Sequence, residues 1–133
     1  MRLVLDTNVF ISGVFFSGPP HVILQAWRDR RVDLVLSPAI LEEYREVGER
    51  LGRQFPGVEL SPLLNLLLAE GRLCRPRRLP MQVCQDPDDD KFLACALAGG
   101  CKLIVSGDKH LVRVSGYRGI VVTRPRRFVD EYL

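Results

Sequence analysis

A three-layer α/β/α domain with a mostly parallel central sheet is the fold class that this sequence predicts, on three observations. Its apolar runs, among them Leu3–Leu5, Val32–Leu36 and Leu103–Val105, are short and nearly continuous, as in strands buried on both faces. Segments of helical periodicity separate those runs, as parallel strands joined by helical crossovers require. A length of 133 residues with 47% hydrophobic content suits one domain with its own core, so residues 1–133 are expected to form a single unit.

In chain order, Arg2 to Leu5 reads as a buried strand that ends in Asp6-Thr7-Asn8. Its polar end then emerges at the carboxyl edge of the sheet, where α/β proteins place ligands. After a turn at Gly18-Pro19-Pro20, His21 to Arg31 reads as a helix with Val22, Ile23, Ala26 and Trp27 on one face. Val32 to Leu36 is a second strand. Ser37-Pro38 supplies an N-cap and a proline at the first helical position, and Ile40, Leu41, Tyr44, Val47 and Leu51 follow at helical spacing. Gly52 to Gly57 breaks that helix, and Ser61-Pro62 starts another through Ala69. The proline- and arginine-rich stretch Arg72 to Gln85 reads as an extended surface segment, with Met81 to Cys84 a candidate short strand. Asp86-Pro87 opens a helix over about Asp88 to Ala98, stopped by Gly99-Gly100, with acids favoured in its first turn by the helix dipole. Strands at Leu103 to Val105 and Ile120 to Val122 and a helix at Pro125 to Tyr132 complete the chain.

The formal charge of +3 is too mild to indicate nucleic-acid binding by itself. Its distribution is more informative. Basic residues gather in 28–31, 72–78 and 124–127 and acids in 86–90, which places a cationic rim near an anionic centre. Solvated arginine-rich surface is the plain alternative. Cys74, Cys84, Cys95 and Cys101 lack C-x-x-C spacing and neighbouring histidines, which speaks against structural zinc and for reduced thiols. The apolar start Leu3–Leu5 is cut short by Asp6, so no signal peptide or membrane span is expected, and the expected compartment is the cytoplasm.

Three acidic signals fall where strands end or helices begin: Asp6, the run Asp86 to Asp90, and Asp108. Right-handed crossovers bring all strand carboxyl ends to one edge, so these carboxylates can converge there, joined by Glu43 from the helix after the second strand. Crowded carboxylates repel and raise one another's pKa, an arrangement that makes little energetic sense without a cation. Mg²⁺ or Mn²⁺, which prefer oxygen ligands and sit beside phosphates, would supply that charge, and phosphodiester hydrolysis is the natural reaction. Each acid also has a structural alternative: Asp6 as a turn former, the run at 86–90 and Asp108 as helix caps, and Glu43 as a solvated helix residue.

The ordered series Leu3-Val4-Leu5-Asp6-Thr7-Asn8, Ser37 to Glu43, Asp86-Pro87-Asp88-Asp89-Asp90-Lys91-Phe92-Leu93 and Ile104-Val105-Ser106-Gly107-Asp108 resembles the PIN domain, especially its VapC-like toxin branch. The resemblance covers nearly the whole chain. It implies a helix-flanked sheet, Mg²⁺- or Mn²⁺-dependent ribonuclease activity on RNA, a cognate antitoxin protein as partner, and a homodimer. Carried over by motif, Asp6, Glu43, Asp89 and Asp108 would be the catalytic acids, with Asp6, Asp89 and Asp108 as metal ligands. Asp86, Asp90, Asn8 and Ser106 would support them. The three consecutive aspartates allow the register to slip by one, although Asp89 places Phe92, Leu93 and Ala96 on the inward face. Arg75, Arg77, Arg78, Arg124 and Arg126 are candidate RNA phosphate contacts.

Competing readings account for less of the series. A phosphotransferase of the haloacid-dehalogenase type would normally carry a second aspartate where Asn8 stands, and a receiver domain would carry an acidic pair just after the first strand. A non-catalytic PIN-fold module that binds RNA or protein stays open. RNA cleavage with Mn²⁺ discriminates it from a nuclease.

Overall fold

The computed structural model describes residues 1–133 and places five parallel strands in one sheet flanked by helices, the fold class that the sequence predicts. In chain order the elements are β1 (Arg2–Leu5), α1 (Thr7–Phe15), α2 (Pro19–Arg28), β2 (Asp33–Leu36), α3 (Pro38–Gly52), α4 (Ser61–Glu70) and β3 (Arg72–Leu73). A single 3₁₀ turn, Pro87–Asp89, then leads into α5 (Asp90–Ala98). β4 (Leu103–Val105), α6 (Lys109–Val112), β5 (Val121–Thr123) and α7 (Pro125–Tyr132) follow. No single helix is long and apolar enough to cross a membrane.

The strand order is β3-β2-β1-β4-β5, so the chain works outward from β1 on one side and then returns to β1's other side with β4. This reversal makes the carboxyl ends of β1 and β4 the switch point of the sheet, where flanking helices diverge and leave a crevice. Register carries both chain ends into it. Val4 pairs with Ile104 and Leu5 with Val105, the Asp6 amide donates to the Val105 carbonyl (2.9 Å), and the Ser106 amide donates to the Thr123 carbonyl (2.9 Å).

Thirty buried hydrophobic residues form one contiguous core on the two faces of this sheet, with Leu3, Val4, Ile104 and Val105 fully enclosed. α1 packs on α2 and α3, α2 on α7, and α5 on β1, β2 and β4. One buried pair decides where the site falls. Phe10 of α1 and Tyr44 of α3 stack with ring centroids 4.3 Å apart, and the Tyr44 hydroxyl donates to the Leu5 carbonyl at 2.5 Å. Because Leu5 precedes Asp6 and Glu43 precedes Tyr44, this bond clamps the two acids to neighbouring points at the edge of the sheet.

The structure differs from the sequence reading in five elements. Thr7 to Phe15 is a helix, not the start of a connection, and α2 begins at Pro19 rather than His21. Arg72–Leu73 forms an edge strand on β2, whereas Met81 to Cys84 is not a strand. β5 covers Val121–Thr123, one residue later than expected, because its pairing follows the β4 register. Ser61 is itself the first residue of α4 and caps nothing.

Candidate active site

Asp6 sits at the first turn of α1, where its carbonyl accepts from the Val9 and Phe10 amides while its side chain turns toward β4. It is 8% exposed, and its Oδ2 accepts the hydroxyl of fully buried Ser106 at 2.6 Å. The same Ser106 oxygen accepts the Asp108 amide at 3.0 Å, so one side chain ties the ends of β1 and β4 together. Burial raises the Asp6 pKa, hydrogen bonds from Ser106 and Thr7 oppose that rise, and the charges of Asp108 and Glu43 add to it. Asp108 uses Oδ1 to cap α6 through the His110 amide (2.8 Å), so the cap role and a place at the centre coexist in one residue.

The three consecutive aspartates differ in their partners. Asp90 is spent on structure: its two oxygens accept the Val83 (3.1 Å) and Cys84 (2.7 Å) amides and pin the 81–84 segment. Asp88 faces solvent and pairs with Lys91, and Asp86 caps the 3₁₀ turn through the Asp88 amide at 2.9 Å. Of the three, only Asp89 feels the charges of Asp6 and Asp108. Its pKa is pushed up to about 6, first by burial and then by the charges of Asp6, Asp86 and Asp108, with Lys91 pulling the other way. Phe92, Leu93 and Ala96 lie inward, as that register requires.

Glu43 completes the group from α3. One of its oxygens accepts the Thr7 hydroxyl and Oε2 pairs with the Lys91 ammonium at 2.6 Å. Asn8 is exposed on α1 and makes no hydrogen bond to these carboxylates. Two participants escaped the sequence reading, Thr7 and Lys91. The signal for Lys91 was its position directly after the acidic run, with Asp88 three residues earlier on the same helical face.

These carboxylates are close enough to perturb one another, yet no three acidic, histidine or cysteine side chains are gathered into a ready cation cage. Hard oxygen donors crowded in this way nevertheless fit Mg²⁺ or Mn²⁺. Mg²⁺ is commonly held by one or two carboxylates and several waters rather than by a closed protein shell. Beside the centre a cleft of about 660 Å³ is lined by Arg77, Arg78, Gln82, Asp90 and Lys91. A second hollow of about 440 Å³ extends it past Arg75 to Arg118. Arg124 donates to the Gly107 carbonyl (2.9 Å) between Ser106 and Asp108, while Arg126 is exposed on α7.

An all-parallel sheet with a carboxylate cluster at its switch point and a basic cleft beside it defines an α/β domain of nuclease type. A family model described as the PIN domain matches residues 2–110, and the chain belongs to that family. PIN domains are generally nucleases and typically use divalent metal ions. Comparison with curated proteins finds no match.

Proposed function

We propose that the protein is a Mg²⁺- or Mn²⁺-dependent endoribonuclease and the toxin of a VapC-like toxin–antitoxin pair. The observation that carries this reading is the meeting of acids at the switch point of the sheet, where Ser106 joins Asp6 to Asp108 and the charges of those two, after burial, help push the Asp89 pKa up to about 6. Asp6, Asp89 and Asp108 are the residues that would hold the ion. When bound, a divalent ion supplies an activated water and neutralises phosphodiester charge. The chain's own part is to fix Asp6 through Ser106 and Tyr44, to present Glu43, and to lead the RNA backbone along Arg75, Arg77 and Arg78. Arg124 and Arg126 extend that cationic rim. A cognate antitoxin protein, a homodimer and a cytoplasmic location belong to the same proposal and rest on the resemblance to the VapC-like branch.

Labelled single-stranded and structured RNAs incubated with the purified protein and Mn²⁺ should be cut internally, and Asp6→Asn should abolish the cleavage. A second reading, an RNA-binding module without turnover, is favoured by the cleft lined by Arg77, Arg78 and Lys91, which would bind RNA whether or not it is cut. Tight RNA binding with no cleavage under Mn²⁺ or Mg²⁺ would establish that reading and remove the first. Expression of the wild type should slow growth and Asp108→Ala should relieve it; normal growth with soluble protein would count against the toxin role alone.

A further inference from the structure

We infer that Lys91 is a resident cation of the acidic centre, which occupies Glu43 and restricts the site to a single divalent ion on the side of Asp6, Asp89 and Asp108. This rests on the metal-dependent reading above and specifies how that site is loaded. An ammonium group has three N–H donors and no acceptor. Here all three are used: Nζ donates to Glu43 Oε2 at 2.6 Å, to Asp88 Oδ2 at 2.6 Å and to the Asp88 carbonyl at 3.0 Å. The side chain is only 15% exposed, so the charge is held in place by fixed partners, not by water.

Glu43 is consequently committed on both sides, to the Thr7 hydroxyl through one oxygen and to Lys91 through the other. A two-ion arrangement needs carboxylates on both sides of the reacting phosphate, with the ions about 4 Å apart. Glu43 is the acid of α3 whose charge acts on Asp6, and a second ion bound to it would have to displace Nζ against its positive charge. Asp6, Asp89 and Asp108 bear no such competitor. Asp6 takes hydrogen bonds from neutral groups, Asp108 spends one oxygen on a backbone amide, and Asp89 has no ion-pair partner. Lys91 also lines the cleft that holds Arg77 and Arg78, so its charge would be available to a phosphate bound there.

Mn²⁺ titration of the whole chain without RNA, followed by the electron paramagnetic resonance signal of the free ion, tests this by counting sites. The wild type and Lys91→Arg should bind one ion and Lys91→Met two. Glu43→Gln should leave the affinity of the single site nearly unchanged, whereas Asp6→Asn should weaken it by about tenfold or more, equivalent to about 1.4 kcal/mol. Two ions in the wild type, one in Lys91→Met, or a loss in Glu43→Gln equal to that in Asp6→Asn would each overturn the inference. If Lys91→Met fails to fold by circular dichroism, the Glu43→Gln and Asp6→Asn pair still decides it. No Mn²⁺ binding by folded wild type would instead sink the metal-dependent reading, and the inference with it.

Discussion

The Ser106 hydroxyl shows how much of this site depends on single side chains. It donates to Asp6 and accepts the Asp108 amide, so Ser106→Ala strips a buried carboxylate of its donor and a backbone amide of its acceptor at once. Leaving such groups unsatisfied costs about 1–3 kcal/mol. Ser106→Ala is therefore expected to lower the unfolding free energy by about that amount, read from urea denaturation, and to reduce RNA cleavage as Asp6 and Asp108 lose their common anchor. Asp89 gives a prediction in pH. Its folded pKa of about 6 lies above the ordinary 3.8, so between those values the folded chain binds more protons than the unfolded one. Stability of the metal-free protein should thus fall as pH rises from about 4 to about 6 and stay flat above. Asp89→Asn, with no charge to bury, should melt higher than wild type at pH 7.5 in a chelating buffer, a gain that disappears near pH 4. A wild type that is equally stable at both pH values relative to the variant would contradict the shift. Asp6, Asp108 and the 86–90 run were legible in the sequence because strand ends of a parallel sheet must meet. Lys91 was not, because a lysine after aspartates reads as an ordinary helix-surface pair until its depth is known.

Among the elements, β1, β2, β4, α3 and α7 were legible because each satisfies pattern and boundary signals together. Ser37 caps α3 through the Ile40 amide with proline behind it, and α7 opens on Pro125. α1 was hidden. Val9, Phe10, Ile11, Phe15 and a mid-helix glycine are weak helix formers, and its burial on most sides erases the polar stripe that marks an amphipathic helix. Packing against α2 and α3 overrides those propensities, and at Gly13 α2 lies too close to admit a side chain. A Cβ there would lie 2.7 Å from Leu24 Cδ1 and 2.8 Å from the Pro20 carbonyl oxygen. Although alanine is the better helix former, Gly13→Ala should destabilise the protein by about 1–3 kcal/mol, since overpacking at a backbone contact outweighs propensity. An unchanged or raised denaturation midpoint would show that α1 and α2 can part freely. β3 was illegible for a different reason: two exposed residues carry no periodicity, and only the open edge of β2 makes them a strand.

For the whole molecule, the segregated charges of the sequence become a path. The Arg75–Arg78 segment runs from the edge strand along the cleft to Lys91 and the acids, with Arg118 at the far end held over Tyr117 (5.5 Å to the ring centre) in a left-handed backbone conformation. Phosphate contacts release counterions, each lowering the slope of log affinity against log salt by about 0.7 on a single strand. Replacing Arg75, Arg77 and Arg78 with alanine should weaken binding of single-stranded RNA without regard to sequence and flatten that slope by about 2. Fluorescence anisotropy at several salt concentrations measures it, and an unchanged slope would place the RNA elsewhere. The net charge of +3 concealed this path, because a total cannot say which arginines share a surface.

The hydrogen bond between Ser106 and Asp6 joins residues a hundred positions apart. During synthesis Asp6 therefore emerges long before its anchor exists, and β1 stays without its neighbour until β4 has left the ribosome. Fragments released early by a premature stop carry Asp6, Glu43 and even Asp89, but not the strand that assembles them. The catalytic centre proposed here would thus come into being only once β4 has been made, and shorter fragments could not assemble it.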